Sequence, residues 1–215
     1  MSFKKSIAGK IRGFQQYMTS VSPLLPLHLR KVMSVEGAID RDEAELLYQL
    51  ASAVEEGCIV EIGSYRGRST VALALGSQEG FDPPVYAIDP HEQYVGVLGG
   101  NFGPEDRLAF YKNMLKTGCV ESVRLINLGS DDVALAWRRP IGLLWIDGDH
   151  SYEAVKTDFE NFSKYVISGG YVAFHDSLDM DLGPARLIDE ISAVGDYSRS
   201  FQAGLITVLR KHNIE

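Results

Sequence analysis

The chain has 215 residues, 45% hydrophobic and 23% charged, a globular composition that excludes a disordered or fibrous protein. That length buries a core without staples. Two cysteines, Cys58 and Cys119, suit a reducing compartment and are too few for a cysteine zinc site. The net charge of −8 is uneven: residues 1–35 hold six basic side chains and no acid, so the rest carries −14. An acidic body argues against nucleic acid as a main partner.

No apolar run reaches the roughly 18 residues of a membrane span, so no integral membrane contact is expected. Ser6 to Lys10 is no signal-peptide core, so the expected location is cytoplasmic. Residues 1–35 read as a basic helical appendage, helical around Ile7 to Met18 and broken by Ser22-Pro23-Leu24-Leu25-Pro26. Packing on its own domain, or on a second subunit as a homodimer, is favoured over an anionic membrane surface. The main domain is then 36–215.

Asp40 with Glu43 reads as a capping box opening a helix through Ala44, Leu47, Leu50, Ala51 and Val54. Cys58 to Ile62 is a short apolar strand ending at Gly63, and Thr70 to Leu75 a small-residue helix. Val85 to Ile88 is a strand ending at Asp89. Pro104 opens a helix with Leu108, Tyr111 and Leu115 as its apolar stripe and Gly118 as its stop.

Val123 to Asn127 is a third strand, and Ser130 caps a helix through Trp137. Gly142 to Ile146 is a fourth strand ending at Asp147. Ser151 caps a helix whose Tyr152, Val155, Phe159, Phe162 and Val166 share one face. Gly170 to Phe174 is a fifth strand ending at His175-Asp176. A helix after Gly183-Pro184 and two strands, near Tyr197–Phe201 and Leu205–Leu209, complete the chain. This alternation predicts an α/β fold: a doubly wound, mostly parallel seven-stranded sheet. One terminal strand is antiparallel, because its connection is too short for a crossover.

Ligands of such sheets bind beyond the carboxyl ends of the strands. Here those ends carry Gly63, Asp89, Ser130-Asp131, Asp147 and His175-Asp176. The turn Gly63-Ser64-Tyr65-Arg66-Gly67 lacks the glycine spacing of a dinucleotide site and suits a smaller anion such as a carboxylate. Asp89 can accept from ribose hydroxyls, and Ser130-Asp131 can meet an exocyclic amine. Together they describe a nucleoside carrying an amino acid, which fits S-adenosylmethionine.

Val60-Glu61-Ile62-Gly63-Ser64-Tyr65-Arg66-Gly67-Arg68-Ser69, Ile146-Asp147-Gly148-Asp149-His150-Ser151-Tyr152 and Gly169-Gly170 with His175-Asp176 carry a resemblance. The stretch from Glu55 to Ser177 resembles a class I S-adenosylmethionine-dependent methyltransferase. Within that class it is similar to the metal-dependent small-molecule O-methyltransferases of catechol, caffeoyl-CoA and macrolide-sugar type. The likeness implies a cofactor set of Glu61, Gly63, Ser64, Tyr65, Gly67, Ser69, Asp89, Ser130 and Asp131. Ser69 would take the cofactor's carboxylate.

Asp147 and Asp176 end strands expected to be neighbours, close enough to share one Mg²⁺ or Mn²⁺. The group's usual third ligand falls beside the second aspartate, where this chain has His175 before and Ser177 after; His175 is the ligand expected here. Asp147, Asp149 and His150 form the expected catalytic group, with His150 the first choice as base and Asp149 the other. The acceptor is then a small-molecule hydroxyl on a sugar, polyketide or catechol-like compound. The glycine-bearing loop His91–Gly103 reads as a lid or acceptor wall, with Tyr94, Phe102 and His91 facing the acceptor.

Three rival readings stand beside this. Asp147-Gly148-Asp149 is also the D-x-D pattern of glycosyltransferases that use sugar nucleotides. An NAD-dependent oxidoreductase is disfavoured by the turn spacing. A non-catalytic cofactor-binding or dimerising protein would bind without turnover.

Overall fold

The computed structural model describes residues 25–213; the expected helix around Ile7 to Met18 lies outside them. Seven strands form one sheet: β1 (Cys58–Ile62), β2 (Val85–Ile88), β5 (Val123–Ile126), β6 (Ile141–Ile146), β7 (Val166–Phe174), β8 (Tyr197–Ala203) and β9 (Ile206–Lys211). Their spatial order is β5-β2-β1-β6-β7-β9-β8. The first five run parallel, while β9 is antiparallel to both β7 and β8. The doubly wound sheet with an antiparallel terminal strand is as the sequence predicts. A separate hairpin, β3 (Tyr94–Val95) with β4 (Asn101–Phe102), stands inside the 91–103 loop.

Strand side chains alternate between faces, and the two cores follow that alternation. Ile59, Leu143, Trp145, Ala173 and Val208 pack on one face beneath the helices α1 (Leu27–Met33), α2 (Arg41–Ser52), α3 (Arg68–Glu79) and α4 (Pro104–Thr117). Val60, Leu144, Ile146, Val172 and Leu209 pack on the other, beneath α5 (Ser130–Ala136), α6 (Tyr152–Phe162) and α7 (Gly183–Val194). Leu29, Val32 and Val35 are buried in the first core, so residues 25–35 pack against the domain itself. No helix among the described residues is long and apolar enough to cross a membrane.

The capping box forms: Asp40 accepts from the Asp42 and Glu43 amides at 2.8 and 2.9 Å, and Glu43 accepts from the Asp40 amide at 2.7 Å. Three local expectations need correction. On α4, Leu108, Tyr111 and Leu115 are exposed, and the buried face is Asp106, Phe110, Met114 and Thr117. Two polar residues disguised that face; Asp106 is tolerated there because Arg66 Nε and the Gly103 amide donate to it at 2.7 and 2.8 Å. Gly129, not Ser130, is the N-cap of α5, because the Ser130 hydroxyl is drawn across to Asp158. The small-residue helix also runs beyond Thr70–Leu75, to Arg68–Glu79, since its glycine is buried against α2 and carries no break.

Candidate active site

Strand order places the ends of β2, β1, β6 and β7 side by side, and the chemistry-bearing residues follow directly. Gly63 leaves β1 at φ +84°, and a Cβ there would stand 2.2 Å from the Asp147 carbonyl oxygen. Only glycine lets the turn pass so close to the end of β6. The turn is held by Asp89, whose carboxylate accepts from the amides of Ser64, Tyr65 and His91 at 2.9, 2.8 and 2.8 Å. Gly67, at φ +90°, is the N-cap of α3, and a Cβ there would stand 2.6 Å from the Met114 side chain and 3.0 Å from Phe110.

Above the turn lies a cavity of about 1080 Å³, lined by Gly63, Ser64, Tyr65, Ser69, Asp89, Ser130 and Asp131 of the expected cofactor set. Glu61 and Gly67 do not line it. Glu61 is fully buried beneath the turn, where it accepts from the Ser69 and Thr70 hydroxyls, both at 2.5 Å. Burial pushes its pKa up to about 8, against those hydrogen bonds. Its work is to anchor the start of α3. Ser64 is different: it lines the cavity, and its Oγ is buried with no hydrogen-bond partner among the described residues. A buried hydroxyl without a partner among the described residues, in a residue that borders a cavity of that size, fits a polar ligand group.

At the far end of the cavity, Ser130 Oγ donates to Asp158 Oδ1 at 2.6 Å and Asn161 donates to Asp131 at 2.9 Å. The sequence reading missed Asp158. Its signal was an acid on the apolar face of α6, three residues after Val155 and four before Phe162. Burial, with help from the charges of Asp131 and Asp149, raises its pKa to about 6 despite the Ser130 bond. Over the cavity mouth, the Phe102 ring packs against Tyr65 at 5.3 Å and Tyr94 at 6.0 Å. His91 also lines the cavity but is buried, with Nε2 2.7 Å from the Tyr65 carbonyl oxygen.

The ends of β6 and β7 bring four ionisable side chains together. His175 Nδ1 lies 3.1 Å from Asp147 Oδ1 and 3.3 Å from Asp176 Oδ2. His150 Nε2 lies 3.1 Å from Asp176 Oδ2 and 3.8 Å from Asp147 Oδ1. Behind them Glu43 Oε1 stands 3.5 Å from His175 Nε2. Burial opposes charge on His175, but Asp147, Asp176 and Glu43 overcome it and push the imidazole pKa up to about 12. Burial raises Asp147, while proximity to His175 holds Asp176 low. Asp147, His150 and His175 present ligand atoms close enough to share an ion.

Asp149 points elsewhere. It accepts from the Tyr94 hydroxyl, tying the hairpin to the end of β6, and from the Ser151 amide at 2.7 Å. Burial raises its pKa, but those bonds outweigh it and hold Asp149 below the ordinary carboxylate range. That makes Asp149 a poor general base.

Residues 60–177 match a family model described as "Methyltransferase domain". An uncharacterized protein, R132, of Acanthamoeba polyphaga mimivirus is 41% identical over 167 residues, 71% of this chain and 69% of that protein. Among solved structures, an O-methyltransferase from Bacillus cereus in complex with SAH superposes with a TM-score of 0.66 at 17% identity, covering 93% of this chain and 97% of that one. The O-methyltransferase TomG from Streptomyces achromogenes, involved in tomaymycin synthesis and solved with SAM, gives 0.66 at 16% identity, covering 94% and 96%. A Corynebacterium glutamicum protein gives 0.69 at 17% identity, covering 95% and 98%. With more than half of its length inside the family match and a Rossmann-like methyltransferase sheet beneath it, the chain belongs to the methyltransferase family.

Proposed function

We propose that the chain is an S-adenosylmethionine-dependent O-methyltransferase acting on a hydroxyl of a small molecule, assisted by a divalent ion held by Asp147, Asp176 and His175. The observation that carries this reading is convergence: the glycine turn, Asp89 and the carboxylate–imidazole cluster open onto one cavity. In this reading Ser64 and Ser69 border the amino-acid end of the cofactor, Asp89 the ribose, and Ser130, Asp131 and Asp158 the adenine edge, all of them residues that line the cavity. When bound, the cofactor supplies an electrophilic methyl group, and the ion supplies Lewis acidity beside the acceptor oxygen.

The chain's own part is mainly positional. Asp89 and Gly63 set the turn against the end of β6, so cofactor and acceptor meet within one cavity. The hairpin, with Phe102 over Tyr65 and Tyr94 on Asp149, roofs that cavity and limits water. His150, at the mouth, removes the proton from the acceptor hydroxyl. Orientation contributes ~7–11 kcal/mol in well-aligned systems. A general base contributes a factor on the order of 10²–10⁴, or ~3–5 kcal/mol. The D-x-D glycosyltransferase reading is not favoured, because Asp149 is turned to Tyr94 and the Ser151 amide, away from Asp147.

Calorimetry with S-adenosylhomocysteine and with UDP-sugars tests the reading, followed by methyl transfer from labelled S-adenosylmethionine to a panel of hydroxyl acceptors. S-adenosylhomocysteine should bind and UDP-sugars should not. Binding of UDP-sugars alone would end the proposal.

A further inference from the structure

We propose that Glu43, on α2 and outside the matched segment, is the outer-sphere carboxylate of this cation site. It faces Nε2 of His175 at 3.5 Å and, with an ion bound, would take the Nε2–H so that Nδ1 keeps its lone pair for the ion. The proposal rests on the ion-assisted reading above and adds a residue that the sequence assigned only to a helix cap.

The geometry begins with His175, 4% exposed, between three carboxylates: Asp147 and Asp176 before Nδ1, Glu43 behind Nε2. Although the distances are short, neither ring nitrogen makes a well-directed hydrogen bond among the described residues. Asp147 and Asp176 each approach Nδ1 separately, and Asp147, His150 and His175 present ligand atoms within 4.8 Å of one another. An ion taking the place of the Nδ1 proton would be met by the ring and by the Asp147 and Asp176 oxygens beside it. Ligand atoms at right angles on one ion at ~2.1 Å stand about 3.0 Å apart, close to the 3.1 and 3.3 Å found here.

Glu43 is built for this place. It is buried, Oε1 accepts from the Leu205 amide at 2.6 Å, and Oε2 accepts from the Asp40 amide at 2.7 Å. The β8–β9 turn is moulded to it: a Cβ on Gly204, at φ +51°, would stand 2.5 Å from Oε1. A carboxylate so fixed, facing the second nitrogen of a ligating histidine, is the common outer-sphere arrangement of metal sites and sets the tautomer. The imidazole in the donor set also shifts preference from Mg²⁺ toward Mn²⁺ and its transition-metal neighbours.

The test uses the full chain and follows the ion, not turnover. Mn²⁺ binding is read from the loss of the free-ion EPR signal in wild type, Glu43→Gln and Asp147→Asn, with S-adenosylhomocysteine affinity and thermal midpoint as controls. Wild type should bind one Mn²⁺ more tightly than Mg²⁺, Asp147→Asn should lose it, and Glu43→Gln should weaken it ~10–100-fold with S-adenosylhomocysteine affinity unchanged. If Glu43→Gln binds Mn²⁺ as wild type does while Asp147→Asn does not, Glu43 has no such role and the ion reading stands. If wild type binds no Mn²⁺, both fall. Should Glu43→Gln fail to fold, ¹⁵N-histidine spectra of wild type titrated with Zn²⁺ decide. The Nδ1 resonance of His175 should move while Nε2 keeps its proton, and the reverse overturns the proposal.

Discussion

Replacing Asp158 with asparagine should stabilise the ligand-free protein, and by an amount that grows with pH. Asp158 is buried on α6, and its pKa is raised to about 6 from 3.8. A carboxyl whose folded pKa lies above its unfolded value takes up a proton on folding, so its stabilising contribution is complete below 3.8 and lost as pH rises through about 6. The gap corresponds to about 3 kcal/mol held against the fold at pH 8, about half of that at pH 5 and almost none at pH 3. Asparagine keeps an oxygen to accept from Ser130 and carries no charge to desolvate. Urea denaturation of wild type and Asp158→Asn at pH 3, 5 and 8 measures the difference directly. A gap that ignores pH, or a wild type that gains on the variant as pH rises, refutes the reasoning. If the carboxylate also serves the nucleobase, the stabler variant will bind S-adenosylhomocysteine more weakly, the usual exchange of stability for function.

His150→Gln should lower kcat by a factor on the order of 10²–10⁴ and leave Mn²⁺ and S-adenosylhomocysteine affinities in place; loss of Mn²⁺ in calorimetry would make His150 a ligand instead of a base. Gly63→Ala should cost about 1–2 kcal/mol for the left-handed backbone alone, and more for the approach to the Asp147 carbonyl. Denaturation should register at least ~3 kcal/mol in total, with S-adenosylhomocysteine binding weakened at least tenfold. A variant as stable as wild type would mean that the turn stands farther from β6 than the fold places it.

Much of the fold is legible locally because its signals are local. Asp40 with Glu43, Pro104 before Glu105 and Asp106, and Gly118 each act within a few residues on their own helix. The apolar runs ending at Gly63, Asp89, Asp147 and His175 are bounded by the residues next to them. Parallel pairing then brings those ends to one edge, and the cavity follows. The α4 face was misread because its exposed and buried sides carry the same periodicity. Arg66, forty residues away, joins the Gly103 amide in making Asp106 the buried one.

The sequence alone therefore determined the order of elements, the class of sheet and the row of chemistry-bearing strand ends, since periodicity, capping and turn chemistry are properties of neighbouring residues. Tertiary structure decided which of those residues meet the cavity. Glu61 sinks beneath the turn while Ser64, though buried, borders the cavity, and Asp158 arrives from a helix to meet Ser130. Glu43 reaches the cluster because the amide of Leu205, 162 residues further along, holds its carboxylate there. Desolvation and long-range hydrogen bonds assign these roles, and both exist only once distant segments are packed together.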